Sequence, residues 1–171
     1  YFGSDLSNEI ISTQTFTYTE DKVSLPSQIQ TTNSKGETKT VKIYYPSEAA
    51  TIPELSQTEV SLLNTLQNNK HNVSEIVKTE SLLGSEVLET KLKSYKSFGG
   101  DILPSVIKTS KGENSLEERV EFLSYNSYGS PSIVRKSDGT KIKYEYNERQ
   151  QVVLKIENYA FNIELDPDGN P

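Results

Sequence analysis

Tyr125-Asn126-Ser127-Tyr128-Gly129-Ser130-Pro131, then Ser137-Asp138-Gly139-Thr140, then Tyr144-Glu145-Tyr146-Asn147 is the stretch whose reading decides the fold. One Tyr-Asn pair opens it, and a second closes it 21 residues later. A Gly-Ser-Pro turn and an Asp-Gly turn lie between them. Ser132–Lys136 and Thr140–Tyr146, on either side of Asp138-Gly139, read as a β-hairpin. The return of the same aromatic and turn residues at an interval is the mark of a repeat architecture.

Working outward, the same punctuation recurs. Pro26 precedes Gly36 by ten residues, while Pro104 precedes Gly112, and Pro131 precedes Gly139, by eight. Each turn leads into a strand that ends in tyrosine: Tyr44-Tyr45, Tyr125, and Tyr144 with Tyr146. Thr13, Thr15, Thr17 and Thr19 alternate with Gln14, Phe16, Tyr18 and Glu20, the period of two of an extended chain. Ser27–Thr32 and Thr38–Tyr45 form a hairpin around Asn33-Ser34-Lys35-Gly36. Ser74–Ser81 and Glu86–Ser94 form a second around Gly84, closed by 95–100. A third opens at Leu103-Pro104, with strands Ser105–Thr109 and Leu116–Tyr125. A fifth, partial one comprises Gln151–Glu157 and Ala160–Leu165. One hairpin cannot bury its own apolar face, so each is expected to pack against its neighbour and build a continuous core.

Residues 53–69 break the pattern. Pro46 and Pro53 bracket a polar loop. Ser56-Gln57-Thr58-Glu59 fits a capping box, and Leu55, Leu62, Leu63 and Leu66 fall mostly on one helical face. The expectation is a short amphipathic helix laid over sheet, inserted in the array. The fold class is therefore mainly β: antiparallel hairpin repeats across residues 1–171 as one segment, with one short helix inserted at 53–69.

Composition bounds the function. The chain has 171 residues and a net charge of −6, a pI near 4.9 and a mean hydropathy of −0.61. An acidic chain with scattered Lys and Arg is not built for a phosphate backbone, so no nucleic-acid partner is expected. It has no Cys, which excludes disulfides, thiol catalysis and thiolate metal sites. No apolar run approaches the roughly 18 residues of a membrane helix. The first residue is Tyr and there is no Met, so a processed chain or a fragment is expected.

Candidate chemistry is sparse. His71 stands among Asn68, Asn69, Lys70 and Asn72 with no residue to orient it as a base. Glu117 and Glu118, with Glu113 and Glu121 nearby, read as a charged edge that discourages strand-to-strand aggregation. Asp166, Asp168 and Asn170 resemble part of a calcium loop but lack its distal Glu. Asn72-Val73-Ser74 is formally a glycosylation sequon. Tyr44, Tyr95, Tyr125, Tyr128, Tyr144 and Tyr146 suit cross-strand ladders; a stacking platform for sugars is the other reading. No enzyme, cofactor or metal site is expected.

The stretch quoted first resembles the tyrosine–aspartate (YD) repeats of Rhs-type proteins. Tyr125, Asn126, Gly129, Pro131, Asp138, Gly139, Tyr144, Tyr146 and Asn147 carry the resemblance. Asn stands at 126 and 147 where the repeat usually has Asp, and Ser at 130 where it usually has Asn. The segment 103–158 is similar to Rhs-related proteins of Bacteroidota, and the looser likeness extends over 25–160. Tyr1-Phe2-Gly3-Ser4 looks like the close of a preceding unit, and Asp166–Pro171 like the opening of a following one. The resemblance implies an exported or cell-surface bacterial protein whose hairpins form a sheet that encloses or presents another polypeptide. Its partners would be the remainder of a longer chain or an assembly protein. The alternative it leaves is a surface adhesin or glycan-binding module that uses exposed tyrosines.

Overall fold

The computed structural model describes residues 12–19 and 24–159. Ten strands, β1(Thr13–Tyr18), β2(Pro26–Thr32), β3(Thr38–Tyr44), β4(Lys78–Leu83), β5(Glu86–Phe98), β6(Asp101–Lys111), β7(Glu117–Tyr125), β8(Pro131–Lys136), β9(Lys141–Tyr146) and β10(Val152–Glu157), form one sheet. They lie side by side in chain order, without a crossover, as a continuous antiparallel meander. The hairpins are thus joined edge to edge by backbone hydrogen bonds. From β2 to β10 each connection, apart from the one holding the helix, is a short turn.

The elements follow from local chemistry. Gly99-Gly100, with φ of 61° and 98°, makes a two-residue turn between β5 and β6. A Gly-Gly pair tolerates the two left-handed residues that such a turn needs. The sequence predicts 95–100 as the close of one hairpin and the next strand from near Pro104. Instead β5 runs to Phe98 and β6 starts at Asp101, so Pro104 lies inside a strand. Pro104 is tolerated there because the register shifts at that point: Ser94 pairs Val106 and Tyr95 pairs Pro104, leaving Ser105 as an extra bulged residue. The strand expected from Ser74 begins at Lys78.

The insertion between β3 and β4 is larger than 53–69. Residues 46–51, expected as polar loop, form a 3-10 helix, Pro46–Thr51. Pro46 suits a first helical position because its missing N–H would have no intrahelical partner. The Glu48 carboxylate accepts from the Tyr45 N–H at 3.0 Å. Helix α1(Gln57–Asn68) follows. Its capping box forms as expected: the Glu59 N–H donates to Ser56 Oγ at 3.3 Å, and the Ser56 N–H donates to Glu59 Oε2 at 2.9 Å.

The insertion builds the main core. Ala49, Ile52, Leu55, Leu63 and Leu66 bury against Val77, Leu92 and Tyr95. Leu63 is fully buried while Leu62 is only partly so, so the apolar stripe of α1 points its Leu63–Leu66 side at β5. A smaller set of buried residues, Ile133, Val134 and Ile142, lies in β8 and β9. The outermost described strands differ: all six residues of β1 and all six of β10 are exposed. Ala160–Leu165, expected as the partner of Gln151–Glu157, lies outside the described residues; β10 pairs with β9. No helix among the described residues is long and apolar enough to cross a membrane.

Candidate interaction site at the Tyr-Asn turns

Three turns share one backbone pattern. In each, the N–H of an Asn donates to the carbonyl four residues on, and the N–H three residues on donates back to the Asn carbonyl. These bonds are Asn33 to Glu37 and Gly36 to Asn33, Asn126 to Ser130 and Gly129 to Asn126, and Asn147 to Gln151 and Gln150 to Asn147. Each Asn Oδ1 then accepts two more N–H groups: Lys35 and Glu37, Tyr128 and Ser130, Arg149 and Gln151, all at 2.9–3.0 Å. A short side-chain carbonyl next to a turn is the group that can satisfy those donors. The turn from Lys136 to Thr140 has the same backbone bonds. There Asp138 replaces Asn, two positions later, and accepts from the Thr140 N–H at 2.9 Å. That bond holds the Asp138 carboxyl below its usual range.

The fourth residue of each turn is left-handed. Gly36, Gly129 and Gly139 have φ of 78°, 78° and 86°, and Gln150 has 59°. Gln150 accepts this strained conformation and uses its side chain. Its Oε1 receives Asn126 Nδ2 at 3.1 Å and Ser130 Oγ at 3.3 Å, which ties one Tyr-Asn turn to the next. The asparagines therefore do what aspartates cannot. Asn33 Nδ2 donates to Glu37 Oε2 at 2.7 Å, and Asn147 Nδ2 donates to Gln151 Oε1 at 3.0 Å.

The tyrosines act through their hydroxyls. Tyr45 OH donates to the Pro26 carbonyl at 3.0 Å, Tyr125 OH to Pro104 at 2.6 Å, and Tyr146 OH to Pro131 at 2.8 Å. Each tie joins the tyrosine that closes a unit to the proline that the sequence reading placed at that unit's opening. Burial, and then nearby carboxylates (Glu48 for Tyr45, Glu75 for Tyr125), raise the Tyr45 and Tyr125 hydroxyls above their ordinary value. Burial raises Tyr146 as well, with Tyr144 second. All three remain donors at neutral pH. The ring contacts are to phenylalanine: Tyr125 meets Phe98 edge-on at 4.9 Å and stacks with Phe122 at 5.7 Å. The tyrosines expected as cross-strand ladders contribute, among the described residues, these ring contacts together with the hydroxyl-to-proline ties.

At Tyr45 the pattern takes a different exit. Tyr125 and Tyr146 are followed by Asn and a short turn, whereas Tyr45 is followed by Pro46 and the helical insertion. The chain re-enters the sheet at Lys78, beside β3. Two polar anchors that sequence reasoning missed secure the re-entry. Glu75 Oε1 accepts from Lys93 Nζ at 2.7 Å and Tyr95 OH at 2.8 Å. Buried Lys78 reaches Glu54 at 2.8 Å and Glu80 at 3.0 Å. Burial alone would lower the Lys78 amine, but the two carboxylates outweigh it and raise it. No local signal marks either anchor, because the partners lie up to 24 residues apart.

Asn126, Tyr128, Tyr144, Tyr146 and Asn147, with Ser132, Glu145, Glu148 and Gln150, line a shallow cleft of about 420 Å³ between the two Tyr-Asn turns. Tyr128 is 72% exposed at its margin. Of the other candidates, His71 is exposed just past α1 with φ of 54°. Glu117 and Glu118 lie on an interior strand, not on an edge: β7 pairs with β6 on one side and β8 on the other. Glu117 pairs with Arg119 at 2.8 Å, and Glu118 lies 4.0 Å from Lys108. Glu121 pairs with Arg135. The Asp166–Asn170 segment and Tyr1–Ser4 lie outside the described residues. No protein-family model and no curated protein matches the chain.

Proposed function

We propose that this chain is a non-enzymatic structural segment of an exported bacterial protein of the Rhs/YD-repeat kind. In this reading its hairpins scaffold, enclose or present another polypeptide, and its contacts are to the rest of a longer chain or to an assembly partner. The observation that carries the reading is the hydroxyl tie from tyrosine to proline, repeated at Tyr45, Tyr125 and Tyr146. Side chains that recur at unit junctions, satisfying turn and strand backbone, serve the array itself. Supporting it, the asparagine carbonyls at 126 and 147 are fully committed to turn N–H groups. The test is the coding sequence on both sides of the chain. Further Pro–Gly–Tyr-Asn units are expected there; flanks without any hairpin unit would overturn the reading.

The exposed Tyr128 ring beside its cleft favours a second reading, a glycan-binding module. Calorimetric titration of oligosaccharides into the protein and its Tyr128→Ala variant separates the two. Saturable binding lost in the variant would favour the module, and no heat with either protein favours the scaffold.

A further inference from the structure

We propose that the groove along the β5–β6 seam, between the helical insertion and the β6–β7 turn, binds an extended peptide segment that carries lysine or arginine. Two clefts, of about 490 and 590 Å³, meet at Lys108 and Glu118, which line both. The insertion lines the groove with Glu54, Ser56 and Leu62, and the β6–β7 hairpin with Glu113, Leu116 and Glu118. All of its lining residues fall between Glu54 and Glu118. β5 lies four strands from β1, and β7 three strands from β10. The site therefore does not depend on what adjoins the outer strands.

The floor carries hydroxyls in want of partners. Thr90 and Ser110 pair across the seam, and Ser105 is the bulged residue. All three are more than nine-tenths buried. Among the described residues none of their hydroxyls has a hydrogen-bond partner, and none is sealed from the groove. A buried hydroxyl gains from any group that completes its bond, and it can both donate and accept. A peptide backbone offers a donor and an acceptor at each residue other than proline. From Ser105 to Ser110 the floor extends roughly 17 Å at strand spacing, the reach of a short extended segment.

Charge selects the side chains of that segment. Glu54, Glu59, Glu113 and Glu118 line the groove against Lys96 and Lys108. Glu59 is committed to Ser56, and Glu54 to Lys78. Lys108 lies 4.0 Å from Glu118, while Glu113 has no ion pair among the described residues. No group of three carboxylates there can hold a metal ion, so an organic cation is the complement. A sugar would need an exposed ring to stack on. Tyr95 is the single aromatic residue lining the groove, and it is 2% exposed with its hydroxyl given to Glu75. The proposal stands apart from the array reading: flanking sequence tests the array, and peptide binding tests the groove.

The experiment is fluorescence anisotropy with three labelled octapeptide pools. Alternate positions are fixed as lysine, glutamine or glutamate, and the others are mixed. The lysine pool is expected to bind saturably, about tenfold more tightly than the glutamine pool, and the glutamate pool not at all. Glu113→Lys, on an exposed turn, should weaken the lysine pool about fivefold. Thr90→Val keeps the side-chain shape, removes one floor hydroxyl and should also weaken it about fivefold. Glu86→Gln, outside the groove, should change nothing. Circular dichroism checks that each variant keeps the sheet; Ser110→Ala replaces Thr90→Val if that variant loses it. The proposal is overturned by no saturable binding of the lysine pool, by equal binding of the three pools, or by binding indifferent to either groove variant. Self-association that Glu113→Lys abolishes would make the occupant a second copy and overturn it as well.

Discussion

The middle of the sheet and its outermost strands are built by the same pairing rules and held by different forces. Every strand from β3 to β6 is paired on both sides, and the insertion covers part of this region with Ala49, Leu55, Leu63 and Leu66. β1 and β10 are paired in comparable registers but have no buried residue. Hydrogen bonds contribute modestly once exchange with water is counted, while buried apolar area supplies the larger share. Hairpin pairing thus sets the path of the chain, and the inserted helix supplies the burial that stabilises its centre.

The sharpest way to break this contrast is Leu63→Ala. Leu63 is fully buried, so a loss of about 2–5 kcal/mol is expected. Ile156→Ala in β10 should cost no more than about 0.5 kcal/mol in the same urea titration. Equal losses would mean that the insertion is not the source of stability.

Next is Tyr95→Phe, which removes a donor from the Glu75 carboxylate and should cost about 1.5–3 kcal/mol. Its hydroxyl is held neutral by burial first and by Glu75 second. Tyr146→Phe, at the periphery, should cost about 0.5–1.5 kcal/mol. Hydrogen exchange should then accelerate at β8–β10 alone.

The Ser56–Glu59 box tests the helix. Ser56→Ala should cost about 1 kcal/mol. Burial pushes the Glu59 carboxyl up, but bonds from the Ser56 N–H and hydroxyl outweigh it and hold it below its ordinary value. A carboxyl lowered by folding contributes stability that is complete above its unfolded value of about 4.3 and is lost as pH falls through the folded value. The difference in stability between the protein and Glu59→Gln should therefore shrink below about pH 4, as read by thermal melts across pH.

Effects of similar size to that of Tyr146→Phe fall at the turns. Asn126→Asp keeps the acceptor for Tyr128 and Ser130 but loses the donor to Gln150, and should cost about 0.5–1.5 kcal/mol. Gln150→Ala loses the same bond and keeps the left-handed strain. Gln150→Gly loses the bond and relieves the strain, so it should be the milder of the two by about 1 kcal/mol. Equal costs would mean that Gln150 is unstrained.

Much of the fold was legible because it is local. Alternation at 13–19, the Asn33, Gly84 and Asp138 turns and the Ser56 capping box each depend on residues within six positions of one another. The missed elements share a cause. Gly99-Gly100 is a turn signal, but Pro104 reads as the start of the next strand. Its acceptance inside β6 depends on the bulge at Ser105, which exists only once β5 is alongside. The tyrosines recur at the unit junctions, but spacing shows where a side chain recurs and not which atom of it bonds.

By itself, then, the sequence determined a mainly β chain of hairpins, their turns and the presence of one capped helix. These follow from torsional preferences and from hydrogen bonds that close over a few residues. Tertiary structure alone decided that the ten described strands lie side by side in chain order and that Tyr45, Tyr125 and Tyr146 reach back to prolines 15–21 residues away. It alone decided that Glu75 and Lys78 anchor the insertion, and that β7 is interior. Such contacts arise when distant segments exclude water together, and their energy depends on burial and on partners that no local window contains.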